Sequence, residues 1–208
     1  MTTAPAPRRG RPPSGGREEI LSATLAVLRE RGVAKLTTRE VARRAGVSEG
    51  SIYYHFTDRF GLLLAVFERG LRPLADLNQR GFAGPDLRST LAGFMAAVEA
   101  FLDPAMDVLT AAQSDAELRE ALGTHMRDND LGPHRGITMM GAYLEQQQRL
   151  GVVRADVDPE TVAYTLVSGC FMRASQERMV GHTLGVASRE QQLDMLMTLL
   201  APTEDAVK

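Results

Sequence analysis

Residues 36–56 constrain the fold more than any other stretch of the chain. They read Leu-Thr-Thr-Arg-Glu-Val-Ala-Arg-Arg-Ala-Gly-Val-Ser-Glu-Gly-Ser-Ile-Tyr-Tyr-His-Phe. The run is punctuated as two short helices around one tight turn. Thr37 or Thr38 can cap the first, because a threonine hydroxyl accepts from a free backbone N–H of the opening turn. Val41, Ala42 and Ala45 share one face of that helix. Gly46 follows at once, and glycine readily enters the left-handed conformation that ends a helix and turns the chain. Val47 is an apolar anchor inside the turn. Ser48 caps a second helix, whose Ile52 and Phe56 lie four apart and face inward. Helix, glycine-containing turn and helix is the layout of a DNA-binding helix-turn-helix. The competing interpretation is a solvated helix pair within a helical domain.

The outward face of the second helix favours the DNA-binding interpretation. Ser48, Glu49, Gly50 and Ser51 crowd its N-terminus with small or hydrogen-bonding groups, at the end of a recognition helix that meets base edges. Tyr53, Tyr54 and His55 follow, with polar tips able to reach phosphates.

From about Ile20 to Val66 the sequence resembles the DNA-binding domain of the TetR family of bacterial transcriptional regulators. The resemblance rests on Thr37-Thr38 before the second helix and on Val41-Ala-Arg-Arg-Ala-Gly-Val-Ser48 across the turn. It continues through Ile52-Tyr-Tyr-His-Phe56 and the Leu62-Leu63 run that opens the fourth helix. It implies DNA contacts from Thr38 and Arg39, with Arg39 at a base-contacting position, and a phosphate contact from Arg59. Phe60 and Gly61 depart from the pattern, which has an acid after the basic residue. It also implies an all-α protein: a three-helix DNA-binding domain followed by a helical ligand-binding and dimerisation domain.

Charge is divided to match. Residues 1–56 hold ten Lys/Arg against five Asp/Glu, and the remainder holds fourteen against twenty-one, so a net charge of −2 conceals a basic head on an acidic body. That asymmetry directs the head toward a polyanion and keeps the body off it. Residues 1–16 are rich in Pro, Gly and Arg and contain no carboxylate. They read as a flexible basic arm, whose Arg8, Arg9 and Arg11 either enter a minor groove or are incidental charge on a leader. The expected domains are the arm at 1–16, the helix-turn-helix domain at 17–62 and the helical body at 63–208. No apolar run approaches the ~20 residues of a membrane helix, and the N-terminus has no secretory pattern. A cytoplasmic protein without a membrane partner is expected, and a lone cysteine gives no intrachain disulfide.

Helical periodicity recurs along the whole chain. A first helix is expected from Arg17 to Arg31, ended by Gly32. A fourth starts after Thr57-Asp58 and is kinked or ended at Pro73. The fourth helix touches both head and body, and a signal would pass through it. A strong helix is expected from Asp86 to Leu102, then a short one from Pro104 to Ala112, and another opened by a Ser114/Glu117 capping box. Pro133 to Leu150 forms a long helix, and Gly151 to Asp158 an extended connection. Asp158-Pro159 caps a helix to about Val180, and Ser188 starts the last.

Nine of the ten methionines lie after residue 90, and methionine adapts to irregular cavities. Phe94, Met95, Met106, Met126, Met139, Met140 and Tyr143 are candidates to line the ligand pocket that the resemblance implies, or else fill the core. Val162, Leu166, Gly169, Cys170 and Ala174 share one helix face. Leu193, Leu196, Met197 and Leu200 share another. These faces either form a four-helix dimer interface, as the resemblance implies, or complete the core of one chain. His125 and His134 with Asp128 and Asp130 fit no standard zinc spacing, so no metal or cofactor is expected. Cys170 on an apolar face is expected to be buried and inert. The sequence carries no phosphate-binding glycine loop, nucleophile elbow or paired catalytic carboxylates.

These features describe a non-enzymatic regulator, a repressor binding a palindromic DNA operator as a homodimer and released by a small, largely apolar effector. A ligand-independent regulator, an activator, and a helical enzyme with an incidental helix-turn-helix are the rivals.

Overall fold

The computed structural model describes residues 16–202, apart from 83 and 85. Arg8, Arg9 and Arg11 lie outside the described residues. The protein is all-α, with no strand among the described residues. Its chain divides into two compact units, one up to Leu63 and one from Leu64 on. In chain order the helices are α1 (Gly16–Arg31), α2 (Thr38–Ala45), α3 (Glu49–His55), α4 (Arg59–Arg80), α5 (Leu87–Gln113), α6 (Ala116–Asp128), α7 (Pro133–Arg149), α8 (Pro159–Val180) and α9 (Arg189–Leu200). A single 3-10 turn, Val33–Lys35, separates α1 from α2.

In the first unit, α1 packs on α2 and α3. Ile20, Val27, Leu36, Val41 and Ile52 are fully buried there, and Phe56 nearly so. Thr37 is the cap of α2, its hydroxyl accepting from Glu40 N–H at 3.2 Å. Gly46 closes α2 at φ 68°, ψ 28°, a conformation in which a Cβ would be strained. Arg17 lies over the Phe56 ring, 5.5 Å from its centroid, and ties the start of α1 to the end of α3.

Three expectations about helix ends in the second unit are corrected. Pro73 does not end α4, which continues to Arg80. The proline is exposed, so its ring removes one helical hydrogen bond without having to fit a core. Pro104 starts no new helix. It lies inside one continuous α5, where its ring packs on Gly70 of α4 so closely that a Cβ on Gly70 would sit 3.1 Å from it. Beside it, Arg178 of α8 donates to the Asp103 carbonyl at 2.7 Å and to the Asp103 carboxylate at 2.6 Å, clamping α8 to this segment. Finally, α6 is capped by Asp115, whose carboxylate accepts from Leu118 N–H at 3.1 Å, and Ser114 closes α5 instead. Residues 151–158 are a run of turns rather than an extended segment.

The apolar faces of α8 and α9 follow the second of their two expected arrangements. Val162, Leu166, Cys170, Leu193, Leu196 and Leu200 are buried within the single chain, with Ala174 and Met197 packed against them. They complete the core around α5 because those are the wider apolar stripes. Gly169 serves contact within the chain: a Cβ there would sit 2.3 Å from the Gln192 amide of α9. That amide donates to the Thr165 carbonyl at 3.0 Å and accepts from Arg173 at 2.7 Å. Arg173 in turn holds Glu99 of α5 at 2.7 Å, and Arg189 takes the second carboxylate oxygen. A half-buried ion triad thus joins α5, α8 and the start of α9.

Gly169→Val should therefore displace Gln192 from a bonded position. We expect a loss of about 1–3 kcal/mol from overpacking and broken hydrogen bonds, read as a lower denaturation midpoint at unchanged slope. An unchanged midpoint would show that the two helices have room to spare.

Candidate nucleic-acid interface and apolar cavity

The turn between α2 and α3 sets which α3 side chains face outward. Ser48 caps α3, its hydroxyl accepting from Ser51 N–H at 3.2 Å and lying 2.9 Å from the Ser51 hydroxyl. With Ile52 buried at the inner face, Tyr53 and Tyr54 are left 57% and 81% exposed. His55 packs edge-on against Tyr54 with ring centroids 4.9 Å apart. Glu49 and Gly50 are exposed at the helix start, and Ser51 is half-buried.

Two residues at the start of the helices are linked across the turn. Thr38, the first residue of α2, donates its hydroxyl proton to Glu49 Oε1 at 2.7 Å and lies 3.3 Å from the Tyr53 hydroxyl. Glu49 is therefore oriented by a threonine and not by an arginine. This small polar cluster fixes side chains that the free rotamers of an exposed helix would otherwise spread. Sequence spacing could not reveal it, because Thr38 and Glu49 are eleven residues apart.

The surrounding cations fall into two groups. Arg44 forms a forked pair with Glu30, and Arg43 a forked pair with Glu40 at 2.6 and 3.0 Å. Arg31 joins Glu40 at 3.1 Å. These arginines brace α1 and α2, and both carboxyls are held below the usual range, chiefly by their arginine hydrogen bonds. Arg39 is exposed beside Thr38 and has no hydrogen-bond or ion-pair partner among the described residues. Arg59 is half-buried at the start of α4, next to Asp58, whose carboxylate accepts from Gly61 N–H at 2.8 Å. Thr38, Arg39, Glu49 and Tyr53 thus form one polar surface, with Ser48, Gly50, Ser51, Tyr54 and His55 along the same short helix.

The second unit contains a cavity of about 670 Å³ between α4, α5, α6, α7 and α8. Phe67, Leu71, Val98, Phe101 and Leu109 form much of its wall. Of the residues expected to line a pocket, Met126 and Met139 do so. Phe94, Met95, Met106 and Met140 are instead buried in the packed core, and Tyr143 packs at a tilt against Phe82, with ring centroids 4.8 Å apart and planes at 57°. All seven sit on apolar helix faces, but helical period does not distinguish a face that meets a void from one that meets another helix. The residues overlooked were those of α4 and α8, such as Leu71 and Phe171, which lie outside the methionine-rich segments.

The histidines are engaged separately. His125 faces Glu68 at 3.5 Å, and His134 pairs with Asp130 at 3.0 Å. Among the described residues no group of three His, Cys, Asp or Glu side chains could hold a metal. Cys170 is buried, and that burial pushes its thiol up to about 12, far from the thiolate a redox sensor uses. No described helix is long and apolar enough to cross a membrane.

Comparison with known proteins follows the same division. Residues 20–66 match the model for bacterial regulatory proteins of the tetR family. The chain is 33% identical over 110 residues to the HTH-type transcriptional regulator CymR of Pseudomonas putida, covering 50% of this chain and 54% of that one. It is 36% identical over 77 residues to the regulator BetI of Stenotrophomonas maltophilia, covering 36% of this chain and 39% of BetI. The chain thus matches about half or less of the length of these relatives. The fold resembles that of SmeT in its triclosan complex, with a TM-score of 0.63 at 23% identity, over 90% of this chain and 92% of SmeT.

A DNA-reading role for the α2–α3 surface separates its residues by mutant behaviour. Arg39→Ala should cost about 1–3 kcal/mol and relax preference at one position of each half-site. Glu49→Ala should relax preference at another position while leaving nonspecific affinity equal or stronger, since it removes a charge that phosphate repels. Tyr53→Phe should weaken all sequences alike. Binding-site selection on each variant reads the difference; an unchanged selected sequence for Glu49→Ala would remove Glu49 from the reading set.

Proposed function

We propose, from the match of residues 20–66 to the tetR family of bacterial regulatory proteins, that the chain is a cytoplasmic, non-enzymatic member of that family which represses transcription as an operator-bound homodimer. One observation carries the proposal. The exposed face of α3, with Glu49 and Tyr53 tied to Thr38 beside the uncommitted Arg39, matches what a major groove requires. Glu49 and Arg39 read base edges. Ser48, Gly50 and Ser51 stand beside Glu49 at the helix end that faces base edges, Thr38 contacts DNA next to Arg39, and Tyr53, Tyr54, His55 and Arg59 hold phosphates.

The homodimer uses the outer stripes of α8 and α9. Tyr164, Phe171 and Met172 recur at helical spacing on the exposed side of α8, with Thr161, Thr165 and Ser168 between them, and Tyr164, Ser168, Phe171 and Met172 also border the cavity, so the cavity opens toward this face. Met195 and Leu199 do the same on α9. Neither stripe contains a charge, which suits an interface core. Two heads related by a two-fold axis then place recognition helices about 34–36 Å apart, or a multiple of that, on a palindromic site.

A small, largely apolar effector enters the cavity and releases the operator. The cavity size lies within the usual range for ligand sites, and the neighbour SmeT holds triclosan. The effector must favour one arrangement of the heads over the other, because equal affinity for both shifts nothing. An activator or a ligand-independent regulator would use the same head, and the cavity favours the ligand-gated form.

The unmodified protein should sediment as a dimer at micromolar concentration and retard DNA from upstream of its own gene. Met195→Lys with Leu199→Lys should give helical monomers with at least about a hundredfold weaker operator binding, because each half-site then binds alone. The exposed pair is chosen because charging the buried Leu196 or Leu200 would unfold the body. A monomeric unmodified protein, or full operator affinity in the monomeric variant, contradicts the dimer.

A further inference from the structure

We propose that the effector is an amphiphilic anion, an apolar body carrying one carboxylate or equivalent acid, and that Arg135 receives its charge. The inference rests on the effector-gated interpretation above and specifies the chemistry of that same cavity. The wall is overwhelmingly apolar; its polar side chains are Gln79, Arg135, Tyr164 and Ser168, and none of its residues is acidic. Among the described residues Arg135 is thus the one charged residue in the lining. It lies in the first turn of α7 and is exposed to solvent at the cavity's edge.

The other arginines described in the second unit are all committed. Arg88 is held by Glu190 and Asp194, Arg173 and Arg189 by Glu99, Arg178 by Asp103 and Asp107, Arg154 by Asp156 and Arg149 by Glu145. Arg127 donates to the Thr124 hydroxyl and Arg119 to the Gln113 carbonyl; Arg69 and Arg72 are also engaged. Among the described arginine side chains of the second unit, that of Arg135 is the exception, with no hydrogen bond or ion pair to another described residue; its backbone N–H donates to the Gly132 carbonyl at 3.2 Å. In a body where the other described arginine side chains find carboxylates or other partners, the exception stands at the edge of an apolar cavity.

That placement selects among ligand classes. A cation would meet the guanidinium with no acid to offset the repulsion. A neutral apolar molecule would fill the cavity and gain nothing from Arg135. An acid whose apolar part fills the cavity reaches the guanidinium with its head, and the planar fork matches a carboxylate through two parallel N–H donors. Because Arg135 is solvent-exposed, the gain is that of a screened pair and not of a buried one.

The test uses the full chain and two acid/amide pairs of matched shape: naphthaleneacetate with naphthaleneacetamide, and decanoate with decanamide. Calorimetric titration should show each acid binding about five- to tenfold tighter than its amide, with the preference shrinking as salt rises. Arg135→Gln should bring the acids down to the amides while leaving amide affinity unchanged, which also shows that the cavity is intact. Arg135→Lys should retain part of the preference. Amides that bind as tightly as acids, or an acid preference that survives Arg135→Gln, overturn the proposal. If the amides bind and release operator, the effector-gated interpretation stands and only the anionic class fails. If neither class binds a protein that still binds operator, both fail.

Discussion

A helix of seven residues does not hold itself together in water, because its nucleation cost outweighs so few hydrogen bonds. The whole surface proposed to face DNA depends on α3, which has that length. What keeps it folded is burial of Ile52 and Phe56 at its inner face, with the Ser48 cap in front and Gly46 turning the chain behind α2. The apolar contacts of two side chains thus fix the orientation of every outward group. Thr38 then fixes Glu49 and Tyr53 more finely. A substitution at Ile52 would act on DNA recognition without touching DNA.

The body obeys an opposite constraint. Protein interiors are close-packed, so an apolar space of about 670 Å³ forgoes contacts that the surrounding side chains would otherwise make. The frame around it is correspondingly braced. Glu99 with Arg173 and Arg189 joins three helices, and Arg178 holds α8 to α5 at Pro104. A ligand that fills the space restores the missing contacts, which is why occupancy and stability are linked by mass action.

Features written in short range were legible in the sequence. Thr37, Gly46, Ser48, Asp158-Pro159 and Ser188 mark helix ends through groups within three or four residues. Pro104 was misleading because its tolerance depends on Gly70, a residue on another helix. The α8 and α9 stripes stayed ambiguous in the sequence, because helical period does not tell a face that serves the chain's own core from one that meets a second copy; here the wider apolar face is buried in the core, and the outer one is narrower and interrupted by Thr and Ser. The Thr38–Glu49 link, the cavity wall and the isolation of Arg135 all depend on tertiary neighbours, which no spacing rule encodes.

The central claim is that operator and cavity ligand bias one equilibrium in opposite directions. Linkage makes this reciprocal: a ligand that weakens operator binding by some factor must itself bind the operator complex more weakly by the same factor. Titrating an apolar ligand that raises the melting temperature, first into free protein and then into protein saturated with its selected operator, measures both sides. The account predicts weaker binding to the DNA complex, by the factor the ligand imposes on operator affinity. Equal ligand affinity for free and operator-bound protein would contradict it.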